Sequence, residues 1–434
     1  MIGLLLAGVL LCSVSIWRSD QASEFLSETQ QESGSTQSFS RALRMHEPNI
    51  VNSERSDALE NALIHDARAS SESLLQELGV VQDKRVETTR GIIVFLPANN
   101  AQFERELKSL LLSIAIMRTS QPMTIKTDLL VFTPEGGVEF AESLGCVSTR
   151  REAFDDPERC IIYNHVPLKD RFDSSDVLKN YTAYVDSMLV LAEFTDASRY
   201  DMLMRSDLDT FVTPGFASWT LPSGVVLASG HGAFGSPNAF KRLEWISREK
   251  LGLGHSGLRN VGSTWYGYSN IMVAAAKLTL SVMRWLESKE FSEYEKYHSG
   301  NDGYPHWHYP IMLLYAGNIA INQLPVDRVI AYVKGQRVVE MDYRSDFAES
   351  LTEDIKHLHN WHTSDFFSKF KFHAGEYAQT DLTPFQQMDT CQAYAGTIAI
   401  SSDRLSVSEL RVYIEDRSAL VSGAWKRLKP SDRS

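Results

Sequence analysis

Two aspartates one residue apart, Asp207 and Asp209, are the side chains of this sequence best suited to chemistry. They follow the mainly apolar residues 200–204, and the apolar pair Phe211 and Val212 comes shortly after them, so an Asp-x-Asp turn interrupts a buried strand. Two carboxylates at the end of a buried strand cost free energy unless a cation neutralises them. Carboxylate oxygens suit Mg²⁺ or Mn²⁺, and these ions bind substrate phosphates directly. The pattern therefore predicts a divalent-cation site that holds a phosphate group.

A structural role remains open for the same residues. Aspartates at the end of a strand often accept hydrogen bonds from the backbone amides of a turn. The neighbouring Arg205 has two roles open to it as well. Its charge could neutralise a leaving phosphate, or it could form a salt bridge with a nearby carboxylate.

The densest group of histidines lies in residues 356–363, which read Lys-His-Leu-His-Asn-Trp-His-Thr. His359 and His362 share a face if the segment is helical, whereas His357 and His359 share a face if it is extended. Imidazole is an acceptable ligand for Mn²⁺ beside carboxylates. The segment could therefore complete a metal site, or it could be a group of surface or stacking histidines.

Aromatic residues between 265 and 307 could contact a bound substrate. Trp265, Tyr266, Tyr268 and Trp307 offer ring faces for stacking a sugar or a base, or they pack in the core. Asp302 is a candidate general base or acceptor-orienting group, provided that it reaches an acceptor hydroxyl. The alternative for Asp302 is an ordinary turn aspartate before a glycine.

Apolar runs and helical periodicities alternate along the chain, and these elements must position the candidate residues. Strands are predicted at residues 91–97, 128–133, 160–163, 200–206 and 225–230, and helices at residues 103–117 and 175–194. Such alternation predicts an α/β fold with helices on both faces of a sheet. Ligands of such sheets bind beyond the carboxyl ends of the strands. The turn that contains Pro97 and Asn99 and the pair Asp207 and Asp209 both fall there.

The composition allows a large core and argues against one class of partner. The chain has 434 residues, of which 43% are hydrophobic, enough for one large domain or two smaller ones. Its net charge is −12, without a long basic block, so nucleic-acid binding is not expected.

The N-terminal sequence predicts entry into the secretory pathway. Residues 2–17 form an apolar run that is shorter than the roughly 20 residues of a comfortable membrane span. Residues 1–17 are either a signal anchor, which we favour, or a cleaved signal peptide of a secreted protein. Residues 18–88, rich in Ser, Glu and Gln, then form a flexible stem or a disordered tail.

Cysteines and one sequon bear on the same compartment. Cys146 and Cys160 are close enough in sequence to form a disulfide in an oxidising compartment, and free buried thiols are the alternative. Asn180 begins an Asn-Tyr-Thr sequon, which lies in a stretch with a helical pattern.

These features together resemble a Golgi-type glycosyltransferase of the GT-A fold. The resemblance rests on the leader, the Ser-rich stem, the α/β alternation and the strand that ends in Asp207 and Asp209, and it covers about residues 91–375. The segments around Asn270 and residues 301–310 resemble the aromatic-Ser-Asn and Trp-rich segments of fungal α-mannosyltransferases. Met272 and Val273 stand where those enzymes have a carboxylate. The closer overall likeness is to protist glycosyltransferase-like membrane proteins.

The resemblance implies a domain organisation and a cofactor. It implies a single large catalytic domain at residues 89–400, with a Rossmann-like mixed sheet flanked by helices, and a C-terminal helical extension at residues 401–434. It implies a type II membrane protein whose catalytic domain lies in the lumen of the Golgi or endoplasmic reticulum. The expected cofactor is Mn²⁺ (or Mg²⁺), bound by Asp207, Asp209 and a late histidine, with His362 as the first choice and His359 as the second.

The same resemblance implies a substrate class. A hexosyltransferase of this kind takes a UDP- or GDP-linked sugar and transfers the sugar to a glycan or glycoprotein. The donor nucleoside is expected at the end of the first strand. The implied substrate contacts are Pro97, Asn99, Arg205, Trp265, Tyr266 and Asn270, with Asp302 as the catalytic candidate.

Two other functions remain open. One is a catalytically silent GT-A-like domain that binds sugar or acts as a scaffold. The other is a nucleotidyltransferase or sugar-nucleotide pyrophosphorylase, which should carry a Gly-rich, Lys-bearing signature after the first strand. Residues 96–100 read Leu-Pro-Ala-Asn-Asn and have neither glycine nor lysine, which counts against that enzyme.

Overall fold

The computed structural model describes residues 50–79, 87–148, 156–172, 175–181, 184–232, 236–259, 261–298, 307–331, 341–360, 367–383 and 387–423. The chain divides into two units, Met1–Ser53 and Glu54–Ser434. The described strands all lie in the second unit. Of the first unit only residues 50–53, the start of a helix, are described.

The described strands form two sheets. They are β1 Thr88–Phe95, β2 Ile125–Thr133, β3 Cys160–Asn164, β4 Met202–Arg205, β5 Thr210–Val212, β6 Leu227–His231, β7 Val261–Tyr268, β8 Val329–Ile330, β9 Tyr343–Arg344 and β10 His357–His359. A seven-stranded sheet has the order β3-β2-β1-β4-β7-β6-β8, and a three-stranded sheet has the order β5-β10-β9.

Helices flank the large sheet. They are α1 Ile50–Leu78, α2 Ala101–Thr119, α3 Glu135–Ser143, α4 Val185–Ala192, α5 Pro237–Trp245, α6 Ser269–Trp285, α7 Glu293–His298, α8 Met312–Ile321, α9 Lys369–His373, α10 Cys391–Arg404, α11 Val407–Glu415 and α12 Arg417–Ser422. A mixed sheet flanked by helices confirms the predicted α/β fold.

The strands with candidate residues run side by side at the centre of the large sheet. β1 is parallel to both β2 and β4, with Phe95 opposite Phe132 and Ile93 opposite Arg205. The carboxyl ends of β1 and β4 therefore meet at one edge of the sheet. β7 is antiparallel to β4, with Arg205 opposite Trp265. The carboxyl end of β7 consequently lies at the opposite edge of the sheet from the carboxyl ends of β1 and β4.

Alternate side chains of β1 enter different hydrophobic cores on the two faces of the sheet. Ile93 packs into one core, with residues of α4, α6 and α8. Ile92 and Val94 pack into the other core, with residues of α2 and α10. This alternation follows from the twofold period of a strand, and coverage on both faces explains why the strand is a continuous apolar run.

Helix α2 forms where its apolar periodicity predicts it. Asn100 caps its first turn, since the Asn100 side chain accepts hydrogen bonds from the backbone nitrogens of Gln102 and Phe103. Leu107, Leu110 and other apolar residues of the helix are buried against the sheet. The cap fixes the turn after β1, where the sequence predicts a bound ligand.

Part of the predicted flexible stem is a packed helix. In α1, Ala67, Ser71 and Leu74 recur at spacings of four and three residues and are buried. The Arg68 side chain donates a hydrogen bond to the carbonyl of Leu251 over 2.8 Å. The described part of residues 54–78 thus belongs to the folded unit, whereas residues 1–49 lie outside the described residues.

The long helix predicted at residues 175–194 is shorter than expected. A 3₁₀ turn covers Val177–Asn180, and α4 begins only at Val185. Tyr184 caps α4 with a φ of 62°, a left-handed backbone conformation that separates the two elements. Asn180 of the sequon is exposed at the end of the 3₁₀ turn, and Thr182 lies outside the described residues.

The cysteines, the C-terminal helices and the search for a membrane-spanning helix each relate to a prediction from the sequence. Cys146 and Cys160 form a disulfide, while Cys391 is a buried cysteine outside that bond. Helices α10 to α12 pack on α2, so the helical C-terminal segment is joined to the main core. Among the described residues, no helix combines the length and apolar character needed to cross a membrane.

Candidate metal centre

The second sheet brings the acidic pair and a histidine together. After β4 ends at Arg205, the chain turns through Asp207 and Asp209 and enters β5, which leaves the large sheet and pairs with β10. This antiparallel pairing places His359 opposite Thr210. The backbone nitrogen of Asn360 donates to the carbonyl of Asp209 over 2.8 Å, which extends the pairing to the acidic turn.

Asp207, Asp209 and His359 form a compact group of potential ligands. One ligand atom from each residue lies within 4.8 Å of the others. Asp209 Oδ2 and His359 Nε2 are 3.2 Å apart. The side chains are 21%, 11% and 26% exposed, respectively, so a cation could enter from solvent while most of each ligand stays shielded. Two carboxylates and one imidazole are a donor set that fits Mn²⁺ or Mg²⁺ with open positions for phosphate oxygens.

Two cationic side chains of the protein contact the acidic pair. Lys369 Nζ lies 2.7 Å from Asp209 Oδ2, and Arg205 Nη2 lies 3.2 Å from Asp207 Oδ1. Arg205 is almost fully buried, and it also donates to Ser187 Oγ and to the carbonyl of Ser263. Of the two roles open to Arg205, the salt bridge to a nearby carboxylate is therefore present.

Lys369 extends this charged network into the protein. Its Nζ also lies 3.4 Å from Oε1 of Glu106, a carboxylate buried on α2. The same Glu106 oxygen lies 2.9 Å from His373 Nε2. Lys369 therefore links the potential ligand Asp209 to a buried carboxylate of α2, and His373 lies next to that carboxylate.

The contacts among Asp209, His359 and Lys369 favour the charged form of each of these side chains. Burial alone would raise the pKa of Asp209, but Lys369 and His359 hold that pKa well below its ordinary value. Burial alone would lower the pKa of His359, yet contact with Asp209 and Asp342 raises it well above its ordinary value. Lys369 is desolvated as well, and Asp209 and Glu106 raise its pKa. Without a metal, the protein therefore balances its own acidic pair with cations.

The structure brings only some of the predicted site residues to this group. Pro97 and Asn99 lie in the turn after β1, at the same edge of the sheet as Asp207 because β1 and β4 are parallel neighbours. Asn99 is exposed and has a φ of 55°. Asp302 and His362 lie outside the described residues.

Three further predicted contacts are not among the potential ligands of this group. Trp265 and Tyr266, expected to offer ring faces to an acceptor, are core residues instead, with 2% and 0% exposure. Asn270 lies in the first turn of α6, at the opposite edge of the sheet, because β7 is antiparallel to β4. There the Asn270 amide donates to the Glu77 carboxylate of α1 over 2.8 Å.

Three charged residues of the network were not predicted from the sequence. Glu106 gives a signal, since it is a charge on the apolar face of α2, one residue before Leu107. Lys369 and Asp342 give none, because neither lies in a periodic segment or beside another candidate. Asp342 precedes a strand of two residues and Lys369 begins a helix of five residues, and elements this short carry too little pattern to be recognised.

Comparison with known proteins gives one family match over most of the chain. A sequence profile described as "Domain of unknown function (DUF7164)" matches residues 84–425. No curated protein matches the chain. The matched range contains the acidic pair, the second sheet and Lys369.

Among solved structures, the chain is similar to several at low identity. Mouse xyloside xylosyltransferase 1 is 12% identical, with a TM-score of 0.32, over 58% of this chain and 86% of that chain. The bifunctional glycosyltransferase WbbM is 10% identical, with a TM-score of 0.32, over 58% and 40%. Glucosyl-3-phosphoglycerate synthase from Mycobacterium tuberculosis is 10% identical, with a TM-score of 0.26, over 58% and 72%. These are distant similarities of the backbone and carry no information on substrate.

Proposed function

This chain belongs to the family of the domain of unknown function DUF7164, and we propose from the geometry of the site that it is a metal-dependent glycosyltransferase. It would move a sugar from a nucleotide-diphosphate donor to a glycan or glycoprotein. The observation that carries the proposal is the group of Asp207, Asp209 and His359, whose ligand atoms lie within 4.8 Å of one another. The group follows the carboxyl end of β4, where an α/β sheet binds its ligands.

The chemistry of the group suits a diphosphate better than a neutral ligand. When bound, Mn²⁺ or Mg²⁺ would act as a Lewis acid that neutralises the charge of the leaving diphosphate. Arg205 and Lys369 add positive charge beside the same carboxylates. The turn with Pro97 and Asn99 lies at the same edge of the sheet and is our proposed contact for the nucleoside.

The proposal includes the UDP- or GDP-linked hexose donor and the secretory pathway that the sequence suggests. The disulfide between Cys146 and Cys160 supports an oxidising compartment, since such bonds persist in secreted and lumenal proteins. The apolar residues 2–17 support delivery to that compartment, as a type II anchor in the Golgi or endoplasmic reticulum or as a cleaved leader of a secreted enzyme.

A donor panel tests the activity. Purified protein with Mn²⁺ should hydrolyse one member of a panel of UDP- and GDP-sugars, or transfer the sugar from it to an acceptor. The double variant Asp207→Ala plus Asp209→Ala should have no turnover. The matched control is Glu353→Ala plus Asp354→Ala, which removes two exposed carboxylates elsewhere and should keep wild-type turnover. Turnover that survives in the Asp207, Asp209 variant would overturn the proposed metal site.

One observation favours a second candidate, a silent sugar-nucleotide-binding domain. Lys369 and Arg205 already neutralise the acidic pair, so the pair could persist without any metal chemistry. In that case calorimetry would detect UDP or GDP binding, while no donor of the panel would be consumed. The nucleotidyltransferase alternative would instead consume added pyrophosphate together with the nucleotide sugar, and form a nucleoside triphosphate and a sugar 1-phosphate.

A further inference from the structure

Asp342 occupies an unusual place behind the candidate metal centre. It directly precedes β9 and has a φ of 54°, in the left-handed region that glycine, asparagine and aspartate adopt more readily than other residues. Its side chain is only 2% exposed. Gly230 and Gly262 border the carboxylate so closely that a Cβ at either position would lie 2.1 or 2.8 Å from Asp342 Oδ2. Two strands therefore leave room for this carboxylate.

Within that space the carboxylate is held by donors from β7. The backbone nitrogen of Thr264 donates to Asp342 Oδ2 over 2.9 Å, and the Thr264 hydroxyl donates to Oδ1. These hydrogen bonds fix the position of the carboxylate, which is almost completely buried.

Two histidines of β10 face this anion. Asp342 Oδ1 lies 3.5 Å from Nδ1 of His359 and 3.4 Å from Nδ1 of His357. The other nitrogen of His359, Nε2, lies 3.2 Å from Asp209 Oδ2. The His359 ring is thus held between a buried carboxylate and the proposed metal ligands.

The second histidine links Asp342 to the acidic turn. His357 Nε2 lies 2.9 Å from Ser206 Oγ, and Ser206 Oγ lies 2.8 Å from Thr210 Oγ1. The Thr210 hydroxyl donates to the carbonyl of Asp207 over 2.8 Å. Asp342 consequently contacts the third ligand, His359, directly. Through His357 it is also linked to the turn that carries the other two ligands.

Burying a carboxylate is costly, and apolar packing would fill the same space at lower cost. We propose that Asp342 is a positioning residue of the metal centre. It accepts the Nδ1 proton of His359, which leaves the Nε2 lone pair directed at a cation between Asp207 and Asp209. The inference rests on the proposed function, because it requires that a divalent cation binds there.

Metal binding to the full chain, with Mn²⁺ alone as the probe, tests this role. Electron paramagnetic resonance measures free and bound Mn²⁺, and pulsed measurements detect the coupling of a histidine ¹⁴N to the ion. In Asp342→Asn the Mn²⁺ dissociation constant should rise by roughly 10- to 100-fold and the ¹⁴N coupling should weaken or disappear. The matched control is Asp346→Asn, which alters a carboxylate 4% exposed in the same segment that pairs with Arg344. It should bind Mn²⁺ like the wild type.

Thr264→Val provides a second variant if Asp342→Asn does not fold, since it removes one hydroxyl donor and keeps the carboxylate. It should weaken Mn²⁺ binding in the same direction, by a smaller factor. Wild-type affinity and an unchanged ¹⁴N coupling in the folded variants would overturn the role of Asp342 and leave the proposed function standing. A wild-type protein that binds no Mn²⁺ would instead overturn the metal-dependent function, and with it this inference.

Discussion

At Asp209 the protein's own cation and a proposed metal ion compete for one carboxylate. Lys369 Nζ lies 2.7 Å from Asp209 Oδ2, the oxygen that also faces His359. A divalent ion that uses this oxygen must displace the ammonium group or share the oxygen with it. Glu106 offers the displaced group a second anion, since Glu106 Oε1 is 3.4 Å from the same Nζ.

Lys369→Met should therefore bind Mn²⁺ more tightly than the wild type. The substitution removes a positive charge beside a ligand and keeps an unbranched side chain that is one heavy atom shorter. The expected gain is about three- to tenfold, or about 0.7–1.4 kcal/mol, because solvent screens much of the interaction between partly exposed charges. The measurement is Mn²⁺ titration followed by electron paramagnetic resonance.

Lys371→Met is the control for that experiment. Lys371 lies two residues further on in the same short helix, so its side chain points to a different face. Its substitution should leave Mn²⁺ affinity within about twofold of wild type. Weaker Mn²⁺ binding in Lys369→Met would mean that Lys369 supports the ligands and does not compete with the ion.

Among the elements, α1 is where the structure departs most from the sequence-based expectation. Its residues are mostly polar, and within residues 57–78, whose side chains are described, only a narrow stripe with Ala67, Ser71 and Leu74 is buried. Such a stripe resembles the scattered leucines of a disordered tail. β1 and β2, by contrast, could be predicted because burial on both faces requires continuous apolar runs.

Leu74→Ala should show that α1 is part of the folded unit. Leu74 is fully buried in the core, so its truncation should lower the free energy of unfolding by about 2–5 kcal/mol. Leu75→Ala is a matched control on the next residue, which is 47% exposed, and it should change stability by less than about 0.5 kcal/mol. Urea denaturation followed by circular dichroism measures both. Equal stability of the two variants would indicate that α1 does not contribute to the core.

The second sheet limits what could be predicted about the site. Asp207 and Asp209 stand out because they interrupt an apolar strand, and His359 stands out in a histidine-rich segment. β9 and β10 have only two and three residues, too few to show a strand period. The approach of Asp342 to both histidines therefore depends on long-range pairing that no local pattern encodes.

For the molecule as a whole, the site joins parts of the chain that are far apart in sequence. Glu106 lies on α2, the acidic pair follows β4, Asp342 precedes β9 and Lys369 begins α9. Ion pairs connect these segments through Asp209, His359 and Lys369. Folding must gather all of them before the charges can neutralise one another, so the global stability of the fold should depend on their ionisation.

The sign of that dependence follows from the direction of each pKa shift. Asp209 and Asp342 have pKa values below their ordinary 3.8 in the folded protein, so their contribution is present above about pH 4 and is lost as the pH falls further. His359 has a pKa raised above its ordinary 6.5, so its contribution is complete below that pH and is lost as the pH rises through the raised value. Without metal, these three groups should therefore stabilise the fold most between about pH 4 and pH 6.5.

Urea unfolding of the metal-free protein across pH 3 to 9 tests this expectation, with Asp342→Asn as the comparison. The variant has lost one of the two depressed carboxylates, so its urea midpoint should fall less steeply below pH 4 than that of the wild type. Asp346→Asn again serves as the control, because Asp346 pairs with Arg344 outside the histidine network. If Asp342→Asn and the wild type lost stability in parallel below pH 4, the Asp342 carboxylate would not be the buried anion that joins β7, β9 and β10. If the urea midpoint of Asp346→Asn fell below pH 4 as steeply as that of the wild type, while that of Asp342→Asn fell less steeply, the acid sensitivity would be assigned to the network that holds the proposed metal ligands.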